Sequence, residues 1–198
     1  AVEPPIFSNQ KIFEIFLSNK VILLYLLKKK ILALDEKIIK IAAGNNSSYA
    51  ITKDNYLITW GLNTDGQCGV GNYDNTVAPT KVKTLKNVLE VKAGKSHAVV
   101  ITTDGTVYAT GNNSFGTVTG DDYKVNTFKE VKDLKDVVYL SAGEYHNIAL
   151  NTQDEVYVWG YNVYGQLGTG DTNTTNKPTK IELQGAKQVE AGKSHTVI

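Results

Sequence analysis

The sequence predicts an all-β fold: a partial β-propeller of about three four-stranded blades plus the start of a fourth, preceded by a helical segment. Three observations carry this. Ala43-Gly44 recurs as Ala93-Gly94, Ala142-Gly143 and Ala191-Gly192, a period of 49 to 50 residues. Trp60-Gly61 recurs in the same phase as Thr110-Gly111 and Trp159-Gly160. Each unit holds about four short β-type runs between turn residues, with no 3.6-residue apolar period inside it. A fixed period of this size marks one supersecondary unit copied in tandem, each copy burying its apolar face against the next. The chain has no Gly-Gly pair, which counts against the kelch repeat of similar length.

Residues 1–36 stand outside the repeat. Their longest uncharged apolar run is Val21 to Leu27, far short of the roughly 20 residues that cross a bilayer. Phe13, Leu17, Leu24, Leu27, Ile31 and Leu34 fall near one face at helical spacing, which predicts an amphipathic helix. The first reading is a cap on an exposed end of the array. A remnant of an export signal competes with it, although Asp35-Glu36-Lys37 interrupts the apolar stretch early. A membrane-surface or partner-binding helix, favoured by Lys28-Lys29-Lys30, is the third.

The repeats occupy 37–198, with blades at about 37–86, 87–135 and 136–185 and a partial one at 186–198. Each opens with an apolar strand running into Ala-Gly: Ile38 to Ala43, Val88 to Ala93, Val137 to Ala142 and Ala186 to Ala191. A second strand follows a short polar step (Tyr49 to Thr52, Ala98 to Thr102, Asn147 to Asn151). Turns at Lys53-Asp54-Asn55, Thr103-Asp104-Gly105 and Gln153-Asp154-Glu155 then lead to the third strands, Tyr56 to Gly61, Thr106 to Gly111 and Glu155 to Gly160. Such Asn, Asp and Gly residues tolerate the positive φ of tight hairpins. After a long Gly/Asn/Asp-rich loop, Pro-Thr-Lys opens a fourth strand in the first and third copies (Pro79 to Val82, Pro178 to Ile181).

Composition narrows the function classes. The formal net charge is +1 and all 21 basic residues are Lys. Without a global field, and without the guanidinium that reads phosphate and guanine in bidentate fashion, a nucleic-acid partner is disfavoured. A single cysteine, Cys68, excludes an intrachain disulfide framework and a multi-cysteine metal site. The Lys- and Asn-heavy, Arg-free composition points to an AT-rich bacterial source; the single cysteine fits either a reducing compartment or a secreted bacterial protein, and an extracellular or cell-surface location is favoured. The chain starts at Ala1 without Met and stops within a repeat, so it reads as a piece of something longer.

Ala142-Gly143-Glu144-Tyr145-His146, followed by Val158-Trp159-Gly160-Tyr161-Asn162 and Gly165-Gln166-Leu167-Gly168-Thr169-Gly170-Asp171, resembles the regulator of chromosome condensation repeat family. The first copy departs at Ser47 for His and at Cys68 for Leu, and the second at Thr110 for Trp, with a loop one residue short. The resemblance implies a seven-bladed propeller, of which this chain holds a part. Self-association of two arcs would complete a ring.

Most chemically suggestive residues belong to the repeat. His97, His146 and His195 each lie three residues after the glycine of Ala-Gly, one per copy, so hydrogen bonding within the repeat is expected over metal ligation. Gly66, Gly69 and Gly71 recur at Gly165, Gly168 and Gly170, which reads as turn chemistry and not as a phosphate loop. No catalytic, cofactor or metal site is expected, and no enzyme activity. Function should lie where the copies differ, and the aromatic residues Tyr73, Phe115, Tyr123, Tyr161 and Tyr164 are the partner-binding candidates. The expectation is a non-enzymatic protein-binding module of a larger bacterial surface or secreted protein, with membrane contact through 1–36 as a further option. The alternatives are regulation of a small GTPase, implied by the resemblance, and inhibition of a secreted enzyme.

Overall fold

A computed structural model of the protein describes residues 37–183 and 185–198, and these are all β. The helix expected within residues 1–36, with its cap or anchor role, lies outside the described residues. Fourteen strands are present among the described residues, in three four-stranded antiparallel sheets and one two-stranded sheet. Blade 1 holds β1 (Ile38–Ala43), β2 (Ser47–Thr52), β3 (Leu57–Gly61) and β4 (Thr76–Lys81). Blade 2 holds β5 (Val88–Ala93), β6 (His97–Thr102), β7 (Val107–Asn112) and β8 (Lys124–Glu130). Blade 3 holds β9 (Val137–Ala142), β10 (His146–Asn151), β11 (Val156–Gly160) and β12 (Thr175–Ile181). The fourth unit contributes β13 (Glu190–Ala191) and β14 (Thr196–Val197).

Every strand pairs with its sequence neighbour, so each blade is a meander. The second strands are buried at all six positions. That is why Ala98 to Ile101 reads as a continuous apolar run: both faces of the strand pack on a neighbouring blade. The hairpin turns carry positive φ at Asn55, Gly105 and Asp154, as their chemistry predicts. Pro79 and Pro178 are tolerated because β4 and β12 are the outer strands of their sheets. Blade 2 also has its fourth strand, β8, although no Pro-Thr-Lys announces it. The first strand expected over 186–191 shrinks to Glu190–Ala191.

The core is three interblade layers. Tyr49 of blade 1 shares a buried cluster with Val91 of blade 2. Val99 of blade 2 does so with Leu140 of blade 3, and Ile148 of blade 3 with Val189 of the fourth unit. In the first two, a second-strand residue of one blade joins a first-strand residue of the next; in the third, the partner is Val189, just before β13.

Hydrogen bonds cross the same layers. His97 Nε2 lies 2.8 Å from Asn147 Oδ1, and Asn147 Nδ2 donates to the Thr117 carbonyl at 2.9 Å. The Asn147 oxygen can only accept, so His97 is the Nε2–H tautomer. His146 Nε2 lies 3.3 Å from Thr196 Oγ1, whose proton goes to the Gln166 carbonyl at 2.7 Å. Blade 1 has Ser47 in place of His and is met by Ala98 in place of Asn. There Ser47 Oγ bonds the Tyr49 hydroxyl, which donates to the Gln67 carbonyl at 2.9 Å. Tyr49 thus occupies the room left by the missing imidazole.

Burial pushes both buried imidazoles, His97 and His146, down to about 4 from the ordinary value near 6.5. The unfolded chain therefore binds more protons than the native one between those values. Stability should be flat above pH 6.5 and should fall from about pH 6.5 to about pH 4, by up to about 1.4 kcal/mol per pH unit for each ring. Urea midpoints at pH 7.5, 6 and 5 check this; a midpoint that does not move between pH 7.5 and 5 would contradict it.

The long loops after the third strands are organised by Asn63, Asn113 and Asn162, the last residue of each Trp-Gly-x-Asn element or its equivalent. Each side-chain oxygen accepts from the backbone five residues ahead in the loop, from Cys68 N, Val118 N and Leu167 N at 2.8–2.9 Å. Each amide nitrogen donates to the returning chain, at Asp74 O, Asp122 O and Asp171 O. In the short loop of blade 2, Thr119 stands where Gly69 and Gly168 stand and shares their positive φ, at 89°. A β-branched residue is strained there.

Candidate aromatic interface

The first-to-second-strand and third-to-fourth-strand loops emerge at the same end of each sheet, because Ser47 pairs with Gly61, His97 with Gly111 and His146 with Gly160. Rigid backbone contacts tie them together. Leu62 N, Asn112 N and Tyr161 N each donate at 2.8 Å to Asn46 O, Ser96 O and Tyr145 O. Side chains on these loops are therefore displayed from fixed positions on one face.

On that face blades 2 and 3 build an aromatic cluster. The Phe115 ring lies 4.7 Å from Tyr161 and 4.9 Å from Tyr145, and Tyr161 lies 5.9 Å from Tyr164, all tilted or edge-on. Such edge-to-face pairs are the favoured arrangement for aromatic quadrupoles. Tyr164 is 73% exposed, and Phe115, Tyr145 and Tyr161 are half-buried. Phe115 of blade 2 thus both packs on blade 3 and lines the face.

Charges border the cluster. Lys95 Nζ sits 3.0 Å from Glu144 Oε1 and 5.1 Å from the centre of the Tyr145 ring, and Lys193 approaches Glu144 at 3.7 Å. These residues occupy one repeat position, just after the Ala-Gly glycine, so Lys, Glu and Lys alternate from blade to blade. The Tyr145 hydroxyl and the Glu144 carboxylate hold the Lys95 ammonium up at about 12.

Of the five predicted residues, the structure brings together Phe115, Tyr161 and Tyr164. Tyr73 stands elsewhere: its hydroxyl donates to Lys124 O at 3.2 Å, and the Lys124 ammonium lies 4.6 Å from its ring centre. Tyr123 is strongly exposed and enters the fold through its carbonyl, which accepts from Asn113 N. Sequence reasoning missed Tyr145. The available signal was the comparison of copies, since Asn46, Ser96 and Ser194 hold the same position. The cluster offers rings and already paired charges, a chemistry for contact. Among the described residues no three His, Cys, Asp or Glu side chains converge to hold a metal ion.

Two sequence profiles, each described as the regulator of chromosome condensation (RCC1) repeat, match the chain. One matches residues 54–101 and 153–198, and the other 38–67, 88–117 and 137–166. The chain is similar to the guanine nucleotide exchange factor SRM1 of Saccharomyces cerevisiae, 42% identical over 77 residues, or 36% of the chain and 16% of that protein. It is also similar to the human X-linked retinitis pigmentosa GTPase regulator, 38% identical over 93 residues, or 46% of the chain and 9% of that protein. The crystal structure of yeast Prp20p, described with its binding to Gsp1p and histones, superposes with a TM-score of 0.72 at 25% identity. That match covers 80% of this chain and 42% of Prp20p. The chain thus spans less than half of Prp20p and a small fraction of the curated relatives. These relatives come from human and yeast, which overturns the expected bacterial extracellular or cell-surface location. A Lys- and Asn-rich, Arg-free composition reports nucleotide bias, which bacteria and eukaryotes share.

Proposed function

This chain belongs to the RCC1 repeat family, and from that premise we propose that it is a non-enzymatic protein-binding part of a propeller that regulates a small GTPase. The observation that carries the reading is the Phe115–Tyr145–Tyr161–Tyr164 cluster, concentrated where blades 2 and 3 depart from blade 1. Aromatic rings on fixed loops bury large area at low conformational cost, the profile of interface hot spots. Relatives named as an exchange factor and as a GTPase regulator support the choice of partner. Exchange needs no covalent step. A partner that binds the nucleotide-free GTPase better than the loaded one shifts its population toward release.

Gsp1p loaded with fluorescent GDP is the probe. The chain is expected to bind it or to speed nucleotide release. Tyr164→Ala with Tyr161→Ala should weaken that effect at least tenfold, about 1.4 kcal/mol, while the thermal midpoint stays within a few degrees. Wild-type strength in the double variant would remove the aromatic face from the reading.

A further inference from the structure

We propose that Tyr123 is a phosphorylation site, the acceptor for a tyrosine kinase that reads carboxylates on the amino-terminal side of its target. The loop that carries it supplies the first reason. In blades 1 and 3 the backbone N–H of the loop asparagine is taken by a side chain of the returning chain: Asn63 N donates to Asn75 Oδ1 at 3.0 Å, and Asn162 N to Thr174 Oγ1 at 3.3 Å. In the short loop of blade 2 a backbone carbonyl takes that place, and Asn113 N donates to Tyr123 O at 2.8 Å. The backbone of Tyr123 is thereby held, while its side chain has no task in the strap. Among the described residues neither its ring nor its hydroxyl has a partner, and the residue is 69% exposed. The first strands of blades 1 and 3 lie on either side of that of blade 2, so this exposure arises where the blade has both neighbours.

Charge supplies the second reason. Asp121 and Asp122 stand directly before the tyrosine and are exposed with it. Two carboxylates ahead of the acceptor hydroxyl complement a cationic substrate groove. Tyr164 and Tyr73 lack this combination. Tyr164 is 73% exposed, but it packs edge-on against Tyr161, and no carboxylate occurs in residues 157–163 ahead of it. Tyr73 spends its hydroxyl on Lys124 O. In the transfer a bond forms between Tyr123 Oη and the γ-phosphorus of ATP, and the bond from that phosphorus to the β,γ-bridging oxygen breaks. ADP leaves, and the phenolic proton passes to the catalytic carboxylate of the kinase. The product adds about 1.5 to 2 negative charges to the loop that also carries Phe115. Two ammonium groups stand ready to receive them: Lys124 follows in the chain, and Lys129 Nζ lies 2.5 Å from Asp122 Oδ2.

The test incubates the folded full chain with magnesium, ATP and the catalytic domain of a tyrosine kinase that favours acidic substrates, and maps the phosphate by mass spectrometry of the digest. A Glu–Tyr copolymer in a parallel tube verifies that the kinase is active. Tyr123 should be labelled about tenfold faster than Tyr164 or Tyr73. Tyr123→Phe should abolish that signal, and Tyr164→Phe should leave it unchanged. Asp121→Asn combined with Asp122→Asn should slow labelling of Tyr123 about threefold or more, with the circular dichroism spectrum unaltered. A chain that stays unlabelled while the copolymer is modified overturns the proposal. So does labelling of Tyr164 at the rate of Tyr123, or a wild-type rate in the double Asn variant.

Discussion

Trp159→Ala is expected to lower the unfolding free energy by about 3–5 kcal/mol, the usual cost of emptying a fully buried large aromatic site. The indole has no exposure, sits in the layer between blades 2 and 3, and closes the bond to Thr117 O that Asn147 also uses. Its neighbours belong to two sheets that cannot collapse independently, so the cavity should persist. Trp159→Phe separates volume from hydrogen bond: it keeps most of the ring and strands little, and about 1–2 kcal/mol should be lost. Trp60→Phe is the matched control. Its N–H has no acceptor among the described residues, so removing that group should cost less than the same change at position 159. Urea unfolding of the four proteins decides the matter. Equal losses for the two Phe variants would mean that the Thr117 carbonyl contributes nothing.

Gly143→Ala should be as damaging for a different reason. Gly143 has no left-handed φ, so the obstacle is space. A Cβ at Gly143 would meet the His146 ring and would come 2.5 Å from the carbonyl oxygen of Gly192, the equivalent glycine of the next unit. The ring is fixed by its bond to Thr196 and the carbonyl is backbone, so neither can yield cheaply. A loss at or above the upper end of the roughly 1–3 kcal/mol typical of overpacking is expected. Gly44→Ala should cost less. Its Cβ would come 2.7 Å from Gly94 O, but the side chain in the way is only the Ser47 hydroxyl at 2.9 Å, which can rotate. Thermal midpoints falling in the order wild type, Gly44→Ala, Gly143→Ala check this; the reverse order would sink the steric account.

Much of the fold was legible because each strand announces itself locally. The runs into Ala-Gly gave β1, β5 and β9, and Asp, Asn and Gly placed the hairpin turns. The fourth strand of blade 2 is expected from the four-stranded unit but is not located by its own letters: Val-Asn-Thr-Phe-Lys has no proline opening, and β8 is placed by pairing with β7 and by contact with blade 1, where Gly71 N donates to Asn126 O. The glycines of the fourth unit were legible, but the length of its first strand was set by pairing partners rather than by its own apolar residues. The site was legible in part for a similar reason. Tyr161 and Tyr164 were found by asking where the copies differ. Tyr145 sits between Ala142-Gly143 and His146, the most regular stretch of the repeat, so its own neighbourhood does not mark it as part of a surface. Only its contact with Phe115, thirty residues away and one blade back, makes it part of the face. The Ser47–Tyr49 substitution for histidine was likewise invisible, since it depends on a hydroxyl reaching Gln67 O across the loop.

That last arrangement bears on how such repeats change over time. In the three blades the same loop position presents a carbonyl, at Gln67, Thr117 and Gln166; Tyr49 of the same blade fills the first, an asparagine and a tryptophan of the next blade the second, and a threonine of the fourth unit the third. The architecture constrains an acceptor and leaves the donor free, provided that some hydroxyl, amide or indole arrives. Letters can therefore drift copy by copy while the geometry is inherited. Divergence in this chain exchanges the donor, and in blade 1 it draws that donor from within the blade instead of from the next one.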